Sequence, residues 1–202
     1  PYSSSKGAAE LLIASYLNSF FSNSNFEQHN TAIASVRAGN VIGGGDWAQD
    51  RLIPDIIKSI KMAQEIKIRN PNSVRPWQHV LEPLSGYIKL AELLFSEGPK
   101  YSEAWNFGPN DRDTKTVEVI VEKLSDLWGC NLQWTIENNS KEHEANFLKL
   151  NCNKALEDLD WKPKWTIDEA LLKIVEWSKK ENLSALEYNK LCLSQINEYE
   201  KN

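Results

Sequence analysis

The sequence predicts an α/β protein: the carboxyl-terminal part of a doubly wound sheet domain with a smaller mixed α/β domain appended. Three observations predict it. A helical period over residues 2–22 is followed by an alternating run of small and β-branched residues at 31–36. A glycine-rich segment, 37–46, comes directly after that run, where ligands sit in open α/β sheets. Beyond residue 50, helical and strand-like patterns alternate in short pieces, with no internal repeat and no low-complexity linker. Residues 1–50 are therefore assigned to the sheet domain, with some later segments returning to it, and 51–202 mainly to the second domain.

Each element has its own signal. In 2–22, Ala8, Leu11, Leu12, Ser15, Tyr16 and Phe20 recur at helical spacing, and Asn23-Ser24-Asn25 punctuates the end. Residues 51–64 read as an amphipathic helix with Leu52, Ile53, Ile56, Ile57 and Ile60 as its buried stripe. A short strand at 66–68, a turn at 70–73 and an extended stretch at 74–80 follow, and Pro83 sits at the opening of a helix to about Ser96. Residues 104–108 and 131–136 read as strands. Helices are expected at 116–128, with Thr114 or Thr116 as cap, and at 153–159, 167–180 and 184–200.

Composition narrows the function. The chain has 202 residues, is 41% hydrophobic and carries a net charge of −5, which argues against nucleic acid or an anionic membrane surface as main partner. Cys130, Cys152 and Cys192 are far apart, with no C-x-x-C and no histidine at ligand spacing, so neither a disulfide framework nor a metal site is expected, and a reducing cytoplasm suits them. No apolar run is long enough to span a bilayer. Most of the eight tryptophans are expected in the core, namely Trp105, Trp128, Trp134, Trp161, Trp165 and Trp177, whereas Trp47 and Trp77 are candidates to pack on a base or sugar.

The chemistry starts at Pro1-Tyr2-Ser3-Ser4-Ser5-Lys6. Tyr2 and Lys6 are four apart, which on a helix puts a phenol and an ammonium on one side, a turn apart. A nearby cation favours the phenolate, and a tyrosine so tuned takes a proton from a hydroxyl near neutral pH. The small residues between them leave room for a cofactor against the helix. An ordinary first helical turn, with serines as caps, explains the same residues without chemistry. The glycine fingerprint for a dinucleotide's pyrophosphate, G-x-G-x-x-G after a strand, does not occur, and Gly43-Gly44-Gly45 does not replace it because no helix start follows directly.

Pro-Tyr-Ser-x-Ser-Lys, a helix, and a strand ending Arg37-Ala38-Gly39-Asn40-Val41-Ile42-Gly43 together resemble the extended short-chain dehydrogenase/reductase family, whose members act on nucleotide-activated sugars. Residues 44–55 (Gly-Gly-Asp-Trp-Ala-Gln-Asp-Arg-Leu-Ile-Pro-Asp) and 74–80 (Val-Arg-Pro-Trp-Gln-His-Val) are similar to one branch, the CDP-glucose 4,6-dehydratases. Pro76 stands where most of the wider family has an acid, a departure that favours this branch. The resemblance implies a Rossmann-like sheet domain with a substrate-binding domain, NAD as cofactor and a CDP-sugar as substrate. It makes Tyr2 the base at the sugar's 4-hydroxyl, and Lys6 the partner that tunes it and bonds the nicotinamide ribose. It brings Gly39 close to the nicotinamide and gives Asn40, Arg51, Leu52, Arg75 and Asn106 to the substrate.

Arginine grips phosphate oxygens with two parallel hydrogen bonds, and Arg51 at a helix start makes most sense if an anion binds there. The bland alternative for Arg51 and Arg75 is an ion pair with Asp50, Asp55 or Glu82. His79 is read as structural, and Lys141 and His143 as nucleotide contacts on which nothing is built. In relatives the elimination acid and base lie upstream of the tyrosine, so these 202 residues alone are expected to be inactive. The resemblance further implies a homodimer through the helix carrying Tyr2. Two rival readings share the motif: a nucleotide-sugar 4-epimerase or reductase, and a non-catalytic nucleotide-sugar-binding module.

Overall fold

The computed structural model describes residues 1–137 and 145–202, and of Tyr2 the backbone only. The chain divides into two compact units, one made of Pro1–Ala38, Leu84–Phe107 and Asn151–Lys162, the other of Gly39–Pro83, Gly108–Leu150 and Pro163–Asn202. The first division thus falls at Ala38/Gly39, and the first unit takes back two later segments.

The first unit opens with helix α1 (Tyr2–Phe20), followed by a 3-10 turn at Asn23–Asn25 and the short helix α2 (Phe26–His29). Strand β1 (Ser35–Ala38) pairs in parallel with β5 (Ala104–Phe107), Ser35 opposite Ala104 and Ala38 opposite Phe107. The strand starts later than the 31–36 expected. Residues before it are held by side chains instead: Thr31 bonds back to His29, and the Ile33 N–H donates to Ser102 Oγ. Most of helix α4 (Leu81–Glu97) and helix α6 (Asn153–Leu159) complete the unit. Its core is Leu90, Tyr101, Trp105, Phe107, Ala155, Leu159 and Trp161. A Cβ at Gly86 would lie 2.3 Å from the Phe107 ring, so only glycine lets α4 and β5 approach this closely.

In α1 the apolar residues do not line a core. Leu11, Leu12, Tyr16 and Phe20 are 52–75% exposed. The period was legible, but the face it defines has no covering element among the described residues.

The second unit centres on β4 (Val74–His79). It lies between β2 (Asn40–Ile42), parallel to it, and β6 (Thr114–Thr116), antiparallel. A second pair, β3 (Ile66–Ile68) and β7 (Trp134–Ile136), is parallel. Helices α3 (Leu52–Met62), α5 (Val117–Trp128) and α7 (Ile167–Ser178) bury Ile53, Ile56, Ile57, Ile120, Leu124, Leu171 and Ile174 with Trp77 in one core. Their starts obey the sequence signals: Thr116 caps α5, and Thr166 with Glu169 closes a capping box on α7. Helix α8 (Ala185–Lys201) starts with a second capping box, Ser184 and Glu187.

Two corrections concern the second unit. The glycine-rich segment expected as loop contains β2, because Asn40-Val41-Ile42 finds a partner in β4. Strand β6 carried no signal, since Thr-Lys-Thr is too short to show a period.

Candidate functional site

Tyr2 and Lys6 lie in the first turns of α1, one helical turn apart, with the Ser5 N–H bonding the Pro1 carbonyl at 2.9 Å. The surrounding residues are small and exposed, and at Gly7 nothing lies within 4 Å of where a Cβ would be. This helix is tied to β1 by a two-pronged contact. Arg37 donates from Nε and Nη2 to the two oxygens of Glu10, at 2.7 and 2.6 Å, and the Ser35 hydroxyl adds a longer bond at 3.4 Å. The hydrogen bond from Arg37 is the main reason the Glu10 carboxyl is held below the ordinary range. Asn106 joins the same group: its Oδ1 accepts from Arg37 Nη1 at 3.4 Å, and its Nδ2 donates to the Asn151 carbonyl at 3.1 Å. Arg37, the basic residue at the start of the glycine-rich segment, is therefore a structural residue.

In the second unit, Asn40 begins β2 beside β4, Gly39 precedes it, and Arg75 lies in β4, opposite Lys115 of β6. Asn40, half-buried, stands opposite Trp77 in the β2–β4 register. A Cβ on Gly39 would sit 2.5 Å from the Pro76 carbonyl oxygen, which is backbone and cannot give way. Arg75 is 6% exposed, and its Nη1 donates to the Val74 carbonyl at 2.9 Å. Arg51 is exposed at the N-cap of α3, with Leu52 beginning the helix. The ion pair feared for Arg51 goes to another residue: Asp50 meets Arg69 at 3.4 Å. Burial, then the nearby Asp50 charge, raises the Asp55 carboxyl above its ordinary value.

The aromatic candidates separate. Trp77 is buried and its indole N–H donates to the Lys115 carbonyl at 3.1 Å, so it belongs to the core. Trp47 is 59% exposed. Gly44 and Gly45 are pressed against Trp177, with a Gly44 Cβ only 2.3 Å from the indole, and Trp177 stacks on Tyr188 of α8 at 4.9 Å.

His79 is structural in the manner expected. Its Nδ1 accepts from the Leu81 N–H at 3.3 Å, and burial, with the Lys173 charge second, pushes its pKa down to about 4. What the sequence did not signal is Glu82. Its carboxylate is completely buried and accepts from the backbone N–H of Lys164 and Trp165 and from the Tyr199 phenol. Tyr199 is 117 positions away, and no pattern in the chain links the two. Lys141 and His143 lie outside the described residues.

Gly39, Asn40, Arg51, Leu52 and Arg75 thus belong to one unit, with Asn40 in β2 and Arg75 in its neighbour β4. Tyr2, Lys6 and Asn106 belong to the other. Among the described residues no cluster of histidine, cysteine and carboxylates has metal-binding geometry, and no helix is long and apolar enough to cross a membrane.

Comparison with known proteins gives the chain its relatives. No family model matches the chain. It is 58% identical over 179 residues to CDP-glucose 4,6-dehydratase of Salmonella typhimurium strain LT2, a match covering 89% of this chain and 50% of that protein. The chain therefore spans about half the length of the curated relative it matches. Among solved structures, dTDP-glucose 4,6-dehydratase of Bacillus anthracis in complex with NAD is similar with a TM-score of 0.68 and 21% identity, over 95% of this chain and 55% of that one. UDP-glucuronic acid 4-epimerase of Bacillus cereus, in complex with UDP-glucuronic acid and NAD, is similar with a TM-score of 0.74 and 18% identity, over 89% and 52%. Those two likenesses show the Rossmann-like fold. The match relates the chain to one half of a CDP-glucose 4,6-dehydratase.

Proposed function

We propose that these residues supply the catalytic helix and the diphosphate-binding strands of an NAD-dependent enzyme that converts CDP-glucose to CDP-4-keto-6-deoxyglucose. The observation that carries this reading is the 58% identity to the Salmonella dehydratase. Tyr2 takes the proton from the sugar's 4-hydroxyl, and Lys6 favours the phenolate by its charge and bonds the nicotinamide ribose. Asn40 donates its amide to a diphosphate oxygen without adding charge, and Arg75 and Arg51 supply cationic forks. Leu52 contacts the substrate. Asn106 has one amide N–H engaged with Asn151, so it offers its second.

The open space at Gly7 supports a place for the nicotinamide end of NAD against α1. The chain has no glycine fingerprint for the pyrophosphate. When bound, NAD supplies the hydride acceptor at C4 and returns that hydride to C6. Between these steps the C5 proton, acidified by the 4-ketone, leaves with the C6 hydroxyl as water. No residue here is assigned to that elimination, so the isolated chain is expected not to turn over.

The test joins this chain to the half of the Salmonella relative that the match leaves uncovered. CDP-glucose carrying ¹⁸O at C6 should yield a 4-keto sugar and labelled water. Retention of the label in an epimerised or reduced sugar would replace the dehydratase reading with its 4-epimerase or reductase rival. One further reading is a nucleotide-sugar-binding module without catalysis. The isolated chain binding CDP but not NAD, with no turnover by the fusion, would establish that one. The exposed stripe of α1 supports a homodimer through the helix carrying Tyr2, and the three free thiols support a cytoplasmic setting.

A further inference from the structure

We propose that Glu82 and Tyr199 are positioning residues: through them the last helix, α8, clasps the strand β4 that carries Arg75, and the nucleotide diphosphate binds at full strength only while this clasp is closed. The proposal rests on the reading of Arg75 and Asn40 as diphosphate ligands.

Three pieces of the second unit meet at one carboxylate. Glu82 lies in the first turn of α4, three residues after β4 ends, and is 0% exposed. Its Oε1 accepts from the Trp165 N–H at 2.7 Å and the Lys164 N–H at 3.2 Å, and its Oε2 from the Tyr199 phenol at 2.8 Å and Lys164 N–H at 3.0 Å. The Trp165 ring packs edge to face with His79 of β4, centroids 4.9 Å apart, and with Tyr199 of α8 at 5.1 Å. Lys164 Nζ donates to the Tyr199 carbonyl at 3.0 Å, and Gln195 Nε2 to the Lys173 carbonyl at 3.0 Å. Of α8, only Gln195 and Tyr199 are buried, so the helix is held at few points.

A buried carboxylate is a costly way to fill space, since an apolar side chain of similar volume packs without desolvating a charge. Here it accepts from two remote segments, 164–165 and α8, and joins both to the start of α4. What it holds is the centre of the anion-binding ladder. Asn40 stands opposite Trp77, the Val80 N–H donates to the Ile42 carbonyl at 2.8 Å, and Gly39 abuts Pro76. A shift of β4 therefore moves Asn40 and Arg75 together.

The clasp is sensitive to protons. Burial raises the Glu82 carboxyl, and the hydrogen bonds from Trp165, Tyr199 and Lys164, with the Lys164 charge, oppose that rise. Lys164 is the charge that acts on Glu82, while His79 of β4, its pKa pushed down to about 4, packs on Trp165 and feels Lys173, which pairs with Glu176 and Glu198. Deleting the Tyr199 hydroxyl removes one opposing bond, so the carboxyl protonates at higher pH.

Calorimetric titration of the full chain with CDP from pH 5 to 8 tests this, with wild type and variants compared at each pH so that the ligand's own titration cancels. Arg75→Met should abolish binding throughout. Tyr199→Phe should weaken binding roughly fivefold at pH 7.5, the equivalent of one buried hydrogen bond, and should lose affinity on acidification at higher pH than wild type. Glu82→Gln should bind weakly and show no such acid limb. If circular dichroism shows Tyr199→Phe to be unfolded, Lys164→Met, which keeps both backbone donors, reads the same upward movement of the limb. A Tyr199→Phe profile superimposable on wild type, with Arg75→Met inactive, overturns the clasp and leaves the site. Wild-type binding retained by Arg75→Met, or no CDP binding by wild type, overturns the diphosphate site and the clasp with it.

Discussion

Arg37 holds both carboxylate oxygens of Glu10, at 2.6 and 2.7 Å, and so fastens the helix bearing Tyr2 and Lys6 to strand β1. The pair is 36–41% exposed, so solvent screens it and its worth is about 0.5–1 kcal/mol. The sign of its pH dependence follows from the lowered Glu10 value. A carboxyl whose folded pKa lies below its unfolded one stabilises fully above the unfolded value, 4.5, and loses that contribution as pH falls through the folded value. Glu10→Gln should therefore lower the melting temperature by a few degrees at pH 7. The gap to wild type should close on acidification below about pH 4. A gap that stays constant down to pH 3 would show that charge is not what the pair contributes.

Two glycines make opposite predictions. Gly39→Ala forces a Cβ to 2.5 Å from the Pro76 carbonyl oxygen, and either β2 or β4 must move. It should cost about 2–3 kcal/mol and weaken CDP binding. Gly7→Ala meets nothing within 4 Å and sits inside α1, where alanine is favoured over glycine by about 1 kcal/mol. It should raise the melting temperature of the isolated chain while weakening NAD binding in the two-part fusion. Urea denaturation and cofactor titration measure the two effects separately.

How much of this was legible beforehand varies with the range of the forces involved. Helices were read to within about two residues because caps and periods are local, as the Thr116 cap of α5 and the Ser184 box of α8 show. The late start of β1 was not, since side chains of His29 and Ser102 hold the chain before it. The Tyr2–Lys6 pair and Arg75 were visible as motifs. That Asn106 is engaged with Arg37 and Asn151 was not, because both partners are remote in sequence. Glu82 was named only as a possible ion-pair partner of Arg51 or Arg75, and its tertiary contacts reveal a buried junction.

The α1 stripe separates stability from association. Leu11 is 75% exposed and Leu12 60%, so neither contributes much to the fold of this chain. Leu11→Lys combined with Leu12→Lys should leave the melting temperature within a degree or two. In sedimentation velocity the wild type should run as a dimer or larger and the double variant as a monomer. A monomeric wild type would remove the dimer from the proposed function.

Arg75 and Lys in its place carry the same charge, and the difference between them tests geometry. Arg75 is buried in β4, opposite Lys115 in the ladder to β6. A guanidinium presents a planar fork to two phosphate oxygens, whereas an ammonium binds as a point charge and is more strongly hydrated. If Arg75 grips a diphosphate, Arg75→Lys should weaken CDP at least tenfold and lose discrimination between CDP and CMP, with the fold retained by circular dichroism. The salt dependence of binding should change little, because the formal charge is unchanged. If Arg75→Lys binds CDP as wild type does, the arginine supplies only charge and the two-pronged contact is wrong. If cytidine alone binds as tightly as CDP to both proteins, the anion is held elsewhere and Arg51, exposed at the start of α3, becomes the residue to vary.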